Sequence, residues 1–227
     1  KTLCRNKYFI LITLAFAVIY TSLGLTGGSR IYYAKYVLGD EMLNSTMTMF
    51  NYIPTILTIM LIPVFTKRFG KIKALFVGFL FYAAGLVLEI AGPVNLPMIY
   101  TGLVLQGIGH AALYSCLFAI VGDVVDYSEW KDGIREEGLT YSVTSFGQKI
   151  GTGLGTAALG WILAAGHYDG TAAVQSASAI FAIKGLFLYL PLVITVIVLI
   201  IWYLFMGIDK IYPTVRKELD ERREKAE

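Results

Sequence analysis

Six long apolar segments recur along the chain and constrain its fold more than any other feature. A run of roughly 18 or more apolar residues predicts a membrane-spanning helix, because about 20 residues at 1.5 Å each cross some 30 Å of hydrocarbon. Only 15% of the residues are charged, against about 25% in soluble domains. The predicted spans are 8–28, 42–65, 74–92, 96–121, 139–166 and 178–207. We therefore predict an all-α, polytopic membrane protein with its membrane domain in residues 1–207 and a cytoplasmic tail at 208–227.

Basic residues are distributed unequally between the two sets of connections. Fifteen Lys and Arg residues lie in the termini and in the second and fourth connections, whereas Arg30 and Lys35 are the two in the other three connections. Because cytoplasmic segments carry the excess of Lys and Arg, both termini are predicted to be cytoplasmic, in the inner membrane of a cell. The fifteen are Lys1, Arg5, Lys7, Lys67, Arg68, Lys71, Lys73, Lys131, Arg135, Lys210, Arg216, Lys217, Arg222, Arg223 and Lys225.

Six spans with both termini on one side fit two inverted repeats of three helices, a plan found in secondary transporters. On this plan the first, second, fourth and fifth spans line a cavity, while the third and sixth face lipid. The third span contains one ionisable residue, Glu89, and the sixth contains Lys184 near its outer end. The fourth and fifth spans carry polar residues in their middle, as the plan requires.

Polar residues of the fifth span share one helical face. Spacings of three and four residues place them together, and they are Tyr141, Ser145, Lys149, Thr152 and Thr156. A lysine at the centre of a lipid-facing helix costs about 2.5–3.5 kcal/mol, so Lys149 is predicted to face a watery cavity or an anionic partner. The alternative is that Lys149 is shallow enough for its ammonium group to reach the interface. On a neighbouring face, Gly147, Gly151 and Gly155 predict close packing against another helix.

The fourth span carries Gln106, His110 and Tyr114 at four-residue intervals. A single membrane histidine is often a hydrogen-bonded packing residue, but three polar groups on one stripe favour a cavity lining. His110 is able to exchange hydrogen bonds with hydroxyls or to titrate. The Tyr114 ring offers a flat apolar face that suits a sugar.

A dense charge cluster occupies Asp123–Gly138, which is predicted to be a loop after the fourth span. Asp123, Asp126 and Glu129 share a face if the helix continues, and Arg135 follows them. The simple interpretation is a solvated turn whose surface ion pairs contribute under about 1 kcal/mol each. The density of alternating charge favours a gate at the cytoplasmic mouth.

Other chemistries find little support in the sequence. Cys4 and Cys116 are far apart and predict neither a disulfide framework nor a metal site. Gly153–Ala158 matches a dinucleotide-binding pattern, but that motif requires a preceding strand, and here it lies inside a predicted membrane helix. No nucleophile–base pair can be assembled, so we predict no enzyme activity, no cofactor, no metal in these residues and no nucleic-acid partner.

The segment DVVDYSEWKDGIREEGLTYSVTSFGQKIG resembles the region before the eleventh helix of the glycoside–pentoside–hexuronide:cation symporters, which belong to the major facilitator superfamily. The segments YYAKYVLGD and TKRFGKIK extend the resemblance. It implies that the chain is the C-terminal six-helix half of such a symporter. It also implies that the coupling cation, Na⁺ or H⁺, binds mainly in an N-terminal half.

The resemblance also implies roles for particular residues. Lys149 matches a lysine linked to sugar and cation binding, and Thr144 and Ser145 match positions that line the sugar site. Tyr114 falls where the melibiose permease has a cavity tryptophan. With Gln106, His110 and Gln148, these are the predicted substrate-binding residues. Asp123, Asp126, Glu129 and Arg135 match a cytoplasmic charged network between the two halves.

The predicted function is therefore sugar or glycoside transport coupled to a monovalent cation by alternating access. Its expected partners are the substrate, the cation, the lipid bilayer and an N-terminal half. One alternative is a six-helix protomer that homodimerises into a transporter. Another is a membrane scaffold or sensor that transports nothing.

Overall fold

The structure, a computed structural model, describes residues 6–133 and 135–224, within which all regular secondary structure is helical. Lys1, Cys4, Arg5 and Lys225, used in the predictions above, lie outside these residues. The helices are α1 (Lys7–Tyr36), α2 (Leu43–Ile59), α3 (Ile62–Phe69), α4 (Lys71–Ala91), α5 (Leu96–Asp132), α6 (Glu137–Ala165), α7 (Ala177–Lys184), α8 (Leu190–Phe205) and α9 (Gly207–Glu224), with a π-helical turn at Gly185–Tyr189 between α7 and α8.

Contacts at the two ends of the bundle show that the chain passes back and forth between them. At one end, Asn6 before α1 donates to Ser128 of α5 at 2.8 Å, and Asp209 of α9 accepts from the backbone of Ile72 in α4 at 3.1 Å. We call this the charged end. At the opposite end the Tyr36 and Tyr168 hydroxyls lie 3.0 Å apart, which joins the end of α1 to the loop after α6.

Four helices are long and apolar enough to cross a membrane, namely α1, α4, α5 and the continuous segment Ala177–Phe205. The pair α2 and α3 meets the same criterion when it is taken as one span bent by 55°. The protein is therefore an all-α polytopic membrane protein, as predicted. α6 is not among these spans, and its polar face accounts for this, so the count of six spans remains a prediction.

Small residues allow the helices to approach closely. The glycine face predicted for the fifth span is confirmed, because Gly147, Gly151 and Gly155 are buried against α1. A methyl group at Gly151 would overlap the carbonyl oxygen of Ala17. Helices α4 and α5 meet in the same way at Gly85 and Gly102. Backbones in direct contact fix the relative positions of these helices, as is common where lipid supplies no hydrophobic driving force.

Two of the predicted spans are irregular near their prolines. α2 continues through Pro54, but the helix breaks at Met60 and Leu61, and Pro63 lies in the first turn of α3. The π-helical turn ends two residues before Pro191. Because proline lacks an N–H and its ring clashes with the preceding turn, both irregularities lie where a regular hydrogen-bond ladder is interrupted.

Two segments predicted as connections are largely helical. α1 continues to Tyr36, so Arg30 lies inside a helix and not in a connection. α5 continues to Asp132, so most of the predicted Asp123–Gly138 loop is helical. It ends at Gly133, which adopts a left-handed φ of 70°, a conformation that glycine adopts without strain. The tail forms α9, which packs on α5.

Candidate functional site

A polar cavity of about 270 Å³ opens between α1, α2 and α5. Its wall combines a cation with amide, hydroxyl, imidazole and phenol groups. Polar groups converging in an otherwise apolar bundle are typical of a small-molecule site. The polar lining residues are Thr26, Arg30, Asn44, Thr48, Asn51, Tyr52, His110 and Tyr114.

Arg30 supplies the positive charge of this cavity. Its Nη1 donates to the Thr48 hydroxyl at 3.2 Å, while its Nε is buried and has no hydrogen-bond partner among the described residues. Arg30 was predicted to lie in a connection, because the first predicted span ended at Gly28. Gly28 is instead a packing residue, since a methyl group there would lie 2.7 Å from Leu159 of α6. The sequence does indicate that the helix continues past Gly28, because no further glycine or proline occurs before Gly39.

His110 and Tyr114 both line the cavity, with ring centroids 5.8 Å apart. The Nδ1 atom of His110 lies 3.3 Å from Oδ1 of Asn51, and the Asn51 amide donates to the carbonyl of Leu103 at 3.2 Å. Asn51, which was not predicted, is buried and thereby links α2 to α5. The binding roles of His110 and Tyr114 remain predictions, but their shared location agrees with them.

Gln106 does not join the other two residues of its stripe. It is buried and donates to Oε1 of Glu89 on α4 at 2.7 Å. A four-residue step advances about 40° beyond a full helical turn, so two steps separate Gln106 from Tyr114 by about 80°. Glu89 itself is fully buried, and its Oε2 has no hydrogen-bond partner among the described residues. Gln106 therefore pairs with Glu89 between α4 and α5.

Lys149 lies in a second opening, a groove of about 430 Å³ along α6. The groove is lined by α6 alone, through Tyr141, Ser142, Ser145, Phe146 and Lys149. Lys149 is exposed, and it makes no ion pair with any carboxylate of the described residues. Ser145 and Lys149 thus share a face, as predicted, but they are separate from the wall that contains His110.

The remaining predicted residues of α6 are placed differently from one another. Thr144 is buried, and its hydroxyl donates to the carbonyls of Thr140 and Tyr141 at 3.1 and 3.0 Å. It therefore lies away from the groove. Gln148 is partly buried, and its backbone carbonyl accepts a hydrogen bond from the Thr152 hydroxyl at 3.0 Å. The structure does not place the Thr144 and Ser145 hydroxyls side by side.

The predicted gate residues form a network at the charged end. Asp123 is buried and pairs with Lys71 at 2.6 Å. Arg135 bridges Asp126 at 2.9 Å and Glu129 at 2.6 Å. These two acceptors raise the pKa of the Arg135 guanidinium, so it remains charged at every physiological pH.

α9 completes the network, although the sequence analysis gave the tail no role. Tyr212 donates to Asp126 at 2.9 Å, Arg223 pairs with Glu129 at 3.0 Å, and the Trp130 indole donates to Glu218 at 2.6 Å. Burial raises the pKa of Tyr212, and the nearby carboxylates raise it further. Residues more than 80 positions apart in sequence are thus joined, and no local pattern predicts such pairs.

Asp209 links α9 to the start of α4. Its Oδ2 accepts from the backbone N–H groups of Ile72 and Lys73 at 3.1 and 3.2 Å, which otherwise lack partners at a helix N-terminus. Burial raises the pKa of this carboxyl, while the two N–H groups lower it. The adjoining Gly70 has a φ of 94°, and a methyl group there would lie 2.5 Å from Oδ2. Glycine at this position therefore makes room for the cap.

Comparison with known proteins gives relatives along the whole chain. The isoprimeverose transporter of Lactiplantibacillus pentosus is 30% identical over 227 residues, covering 98% of this chain and 46% of that protein. The glucuronide carrier protein homolog of Escherichia coli (strain K12) is 27% identical over 225 residues, covering 98% and 49%. A Bacillus subtilis protein described as an uncharacterized symporter is 26% identical over 230 residues, covering 98% and 48%.

The chain spans about half the length of these curated relatives. A family model described as MFS/sugar transport protein matches residues 1–210. The resemblance stated from the sequence is thereby confirmed at the level of the family. The chain belongs to the MFS/sugar transport protein family of the major facilitator superfamily.

Proposed function

We propose that this chain is the C-terminal six-helix half of a transporter that moves a sugar or glycoside by alternating access, coupled to Na⁺ or H⁺. The cavity between α1, α2 and α5 is the observation that carries the proposal. Support also comes from the family and from relatives whose names specify isoprimeverose, a glucuronide and symport.

The cavity wall has the chemistry that a sugar requires. Its volume of about 270 Å³ approaches the roughly 300–1,000 Å³ of small-molecule sites. Asn44 and His110 present polar atoms to hydroxyl groups, and the Tyr114 ring presents an apolar face. Polar groups that bond substrate hydroxyls discriminate strongly between substrates, because an analogue that lacks the hydroxyl leaves them unpaired.

Lys149 belongs to the same proposal as a residue that meets the second half. The groove that contains it is formed by one helix, so another surface is needed to enclose a ligand there. We propose that the N-terminal half provides this surface, and that Lys149 and Ser145 bind substrate or a carboxylate of the cation site across it. The cavity lining described here contains no carboxylate, which fits a coupling cation bound mainly in the other half.

We propose that the charged end faces the cytoplasm and contains the gate. Asp123 is buried and paired with Lys71, so its main effect is to hold α4 against α5. The side chain of Arg135 is 42% exposed, and it stands beside Asp126 and Glu129 at the surface. Arg135, Asp126 and Glu129 are therefore the residues through which this half contacts the other when the transporter closes.

Solute counterflow by the complete transporter in proteoliposomes tests this function. A preloaded sugar is expected to drive uptake of the same labelled sugar, with a rate that depends on Na⁺ or on pH. Tyr114→Ala is expected to reduce uptake at least tenfold, whereas Tyr203→Ala, which removes an exposed tyrosine from α8, is expected to leave it unchanged. Absence of counterflow with every sugar, together with no sugar-dependent change in melting temperature, would favour the scaffold or sensor alternative.

The oligomeric alternative requires a separate measurement. A six-helix protomer that dimerises predicts a particle containing two copies of this chain in detergent. The proposed half-transporter predicts one copy of this chain in a particle that also contains a different six-helix half. Molecular mass from light scattering, corrected for detergent, separates the two assemblies.

A further inference from the structure

Arg30 is a cation at the wall of the cavity, and none of the described residues forms an ion pair with it. Its guanidinium contacts Thr48 through Nη1, and its Nε is buried without a partner. Arginine stays protonated in proteins, so the positive charge cannot be removed by losing a proton. A charge held in a membrane-embedded bundle is costly unless an anion or water compensates it. The charge of Arg30 thus requires a partner that the described residues do not provide.

Glu89 is the nearest internal candidate for that partner, but its hydrogen bonds point elsewhere. Its Oε1 accepts from Gln106 on α5 at 2.7 Å. Its Oε2 has no partner among the described residues, and no ion pair joins Glu89 to Arg30 there. Gly102 packs against the Glu89 side chain, since a methyl group there would lie 2.6 Å from its Cγ. Glu89 is therefore held between α4 and α5, and Arg30 faces the cavity.

We propose that the cavity binds an acidic sugar, with Arg30 holding a carboxylate or sulfonate group of the substrate. The planar guanidinium binds such groups through two parallel hydrogen bonds, and Arg30 lines the cavity. Asn44 and His110, on the opposing helices α2 and α5, bond the sugar hydroxyls. This inference rests on the proposed sugar transport and specifies its substrate class.

A matched pair of ligands separates the charge from the rest of the sugar. Methyl β-glucuronide and methyl β-glucoside differ at the carboxylate, and methyl β-galacturonide with methyl β-galactoside forms a second pair. Binding to the complete purified transporter is measured by isothermal titration for all four. The acid of at least one pair is expected to bind at least tenfold more tightly than its neutral partner. The 6-sulfonate of glucose, measured beside the glucuronide, shows which acid group fits better.

Substitutions at Arg30 then assign the preference to one residue. Arg30→Gln is expected to weaken binding of the acid at least tenfold while changing that of the neutral sugar less than threefold. Arg30→Lys keeps the charge but loses the planar pair of N–H donors, so an intermediate preference for the acid over the neutral sugar is expected. Glu89→Gln is the control: it replaces the buried carboxyl group of α4 and is expected to keep the acid preference. Melting temperature and gel filtration establish that each variant is folded.

Three outcomes would overturn the assignment. Equal binding of acid and neutral sugars by the unmodified protein would show that Arg30 does not select an anion, although transport of neutral sugars would leave the proposed function intact. Equal weakening of both ligands by Arg30→Gln would show that Arg30 pairs with a protein carboxylate and stabilises the cavity. Binding of none of the sugars, with no counterflow, would overturn the inference and the proposed function together.

Discussion

The cavity between α1, α2 and α5 and the groove along α6 both contain a cation, but they differ in how much of the site this chain builds. Three helices enclose the cavity, and Arg30 is bonded to Thr48 within it. One helix forms the groove, and Lys149 is exposed there without an ion pair to the described carboxylates. The cavity is therefore shaped by the packing of this chain, whereas the groove is lined by α6 alone, and the site proposed there needs a second surface.

Gly151→Ala is expected to have the largest effect on stability, because it tests the packing that separates the two openings. The new methyl group would overlap the Ala17 carbonyl of α1, and overpacking costs about 1–3 kcal/mol. Gly153→Ala is the matched control: nothing lies within 4 Å of its added methyl group, and replacing a helical glycine contributes up to about 1 kcal/mol of stability. Thermal unfolding in detergent should give changes of opposite sign, and equal changes would contradict the α1–α6 contact.

Asn51→Leu is expected to have an intermediate effect and to be confined to the cavity. The change removes the donor to the Leu103 carbonyl and the neighbour of His110, and a buried group left unpaired costs about 1–3 kcal/mol. Sugar binding should fall with stability.

Asn44→Leu makes the same replacement in the same cavity at a partly buried residue without such a bond. It should lower the melting temperature by less than half as much as Asn51→Leu. If the two variants lose equal stability, the α2–α5 link through Asn51 is not important.

Lys149→Ala is expected to have the smallest effect on stability and a large effect on function. An exposed side chain without internal partners should change the free energy of unfolding by less than about 0.5 kcal/mol. Counterflow by the complete transporter should nevertheless fall at least tenfold, since the groove would lose its cation. Lys184→Ala, at the end of α7, should change neither quantity. Unchanged sugar binding by Lys149→Ala would remove this residue from the proposed site.

Features that depend on local spacing were predictable from the sequence. The glycines of α6 recur every four residues and face one neighbour, and Ser145 and Lys149 fall on the polar face that their spacing indicated. The membrane class and the family followed from apolar runs and from one charged motif. These predictions need no information about which distant helices meet.

Features that depend on tertiary contacts were missed or misplaced. In a membrane, glycine often marks a close helix contact, as Gly28 does against Leu159. The first predicted span nevertheless ended at Gly28, which lies inside a continuous helix. Arg30 was therefore assigned to a loop. The pairing of Gln106 with Glu89 and of Trp130 with Glu218 follows from how helices distant in sequence are positioned, which the pattern of one segment cannot reveal.

The length of α5 has a mechanical consequence. Its 37 residues extend about 55 Å at 1.5 Å per residue, and this single rod contains both the cavity residue His110 and the network residues Asp123 to Trp130. A tilt of about 10° around its centre displaces each tip by roughly 5 Å. Because α5 is one continuous helix, a small rotation beside the cavity becomes a displacement about as large as a side chain at the charged end.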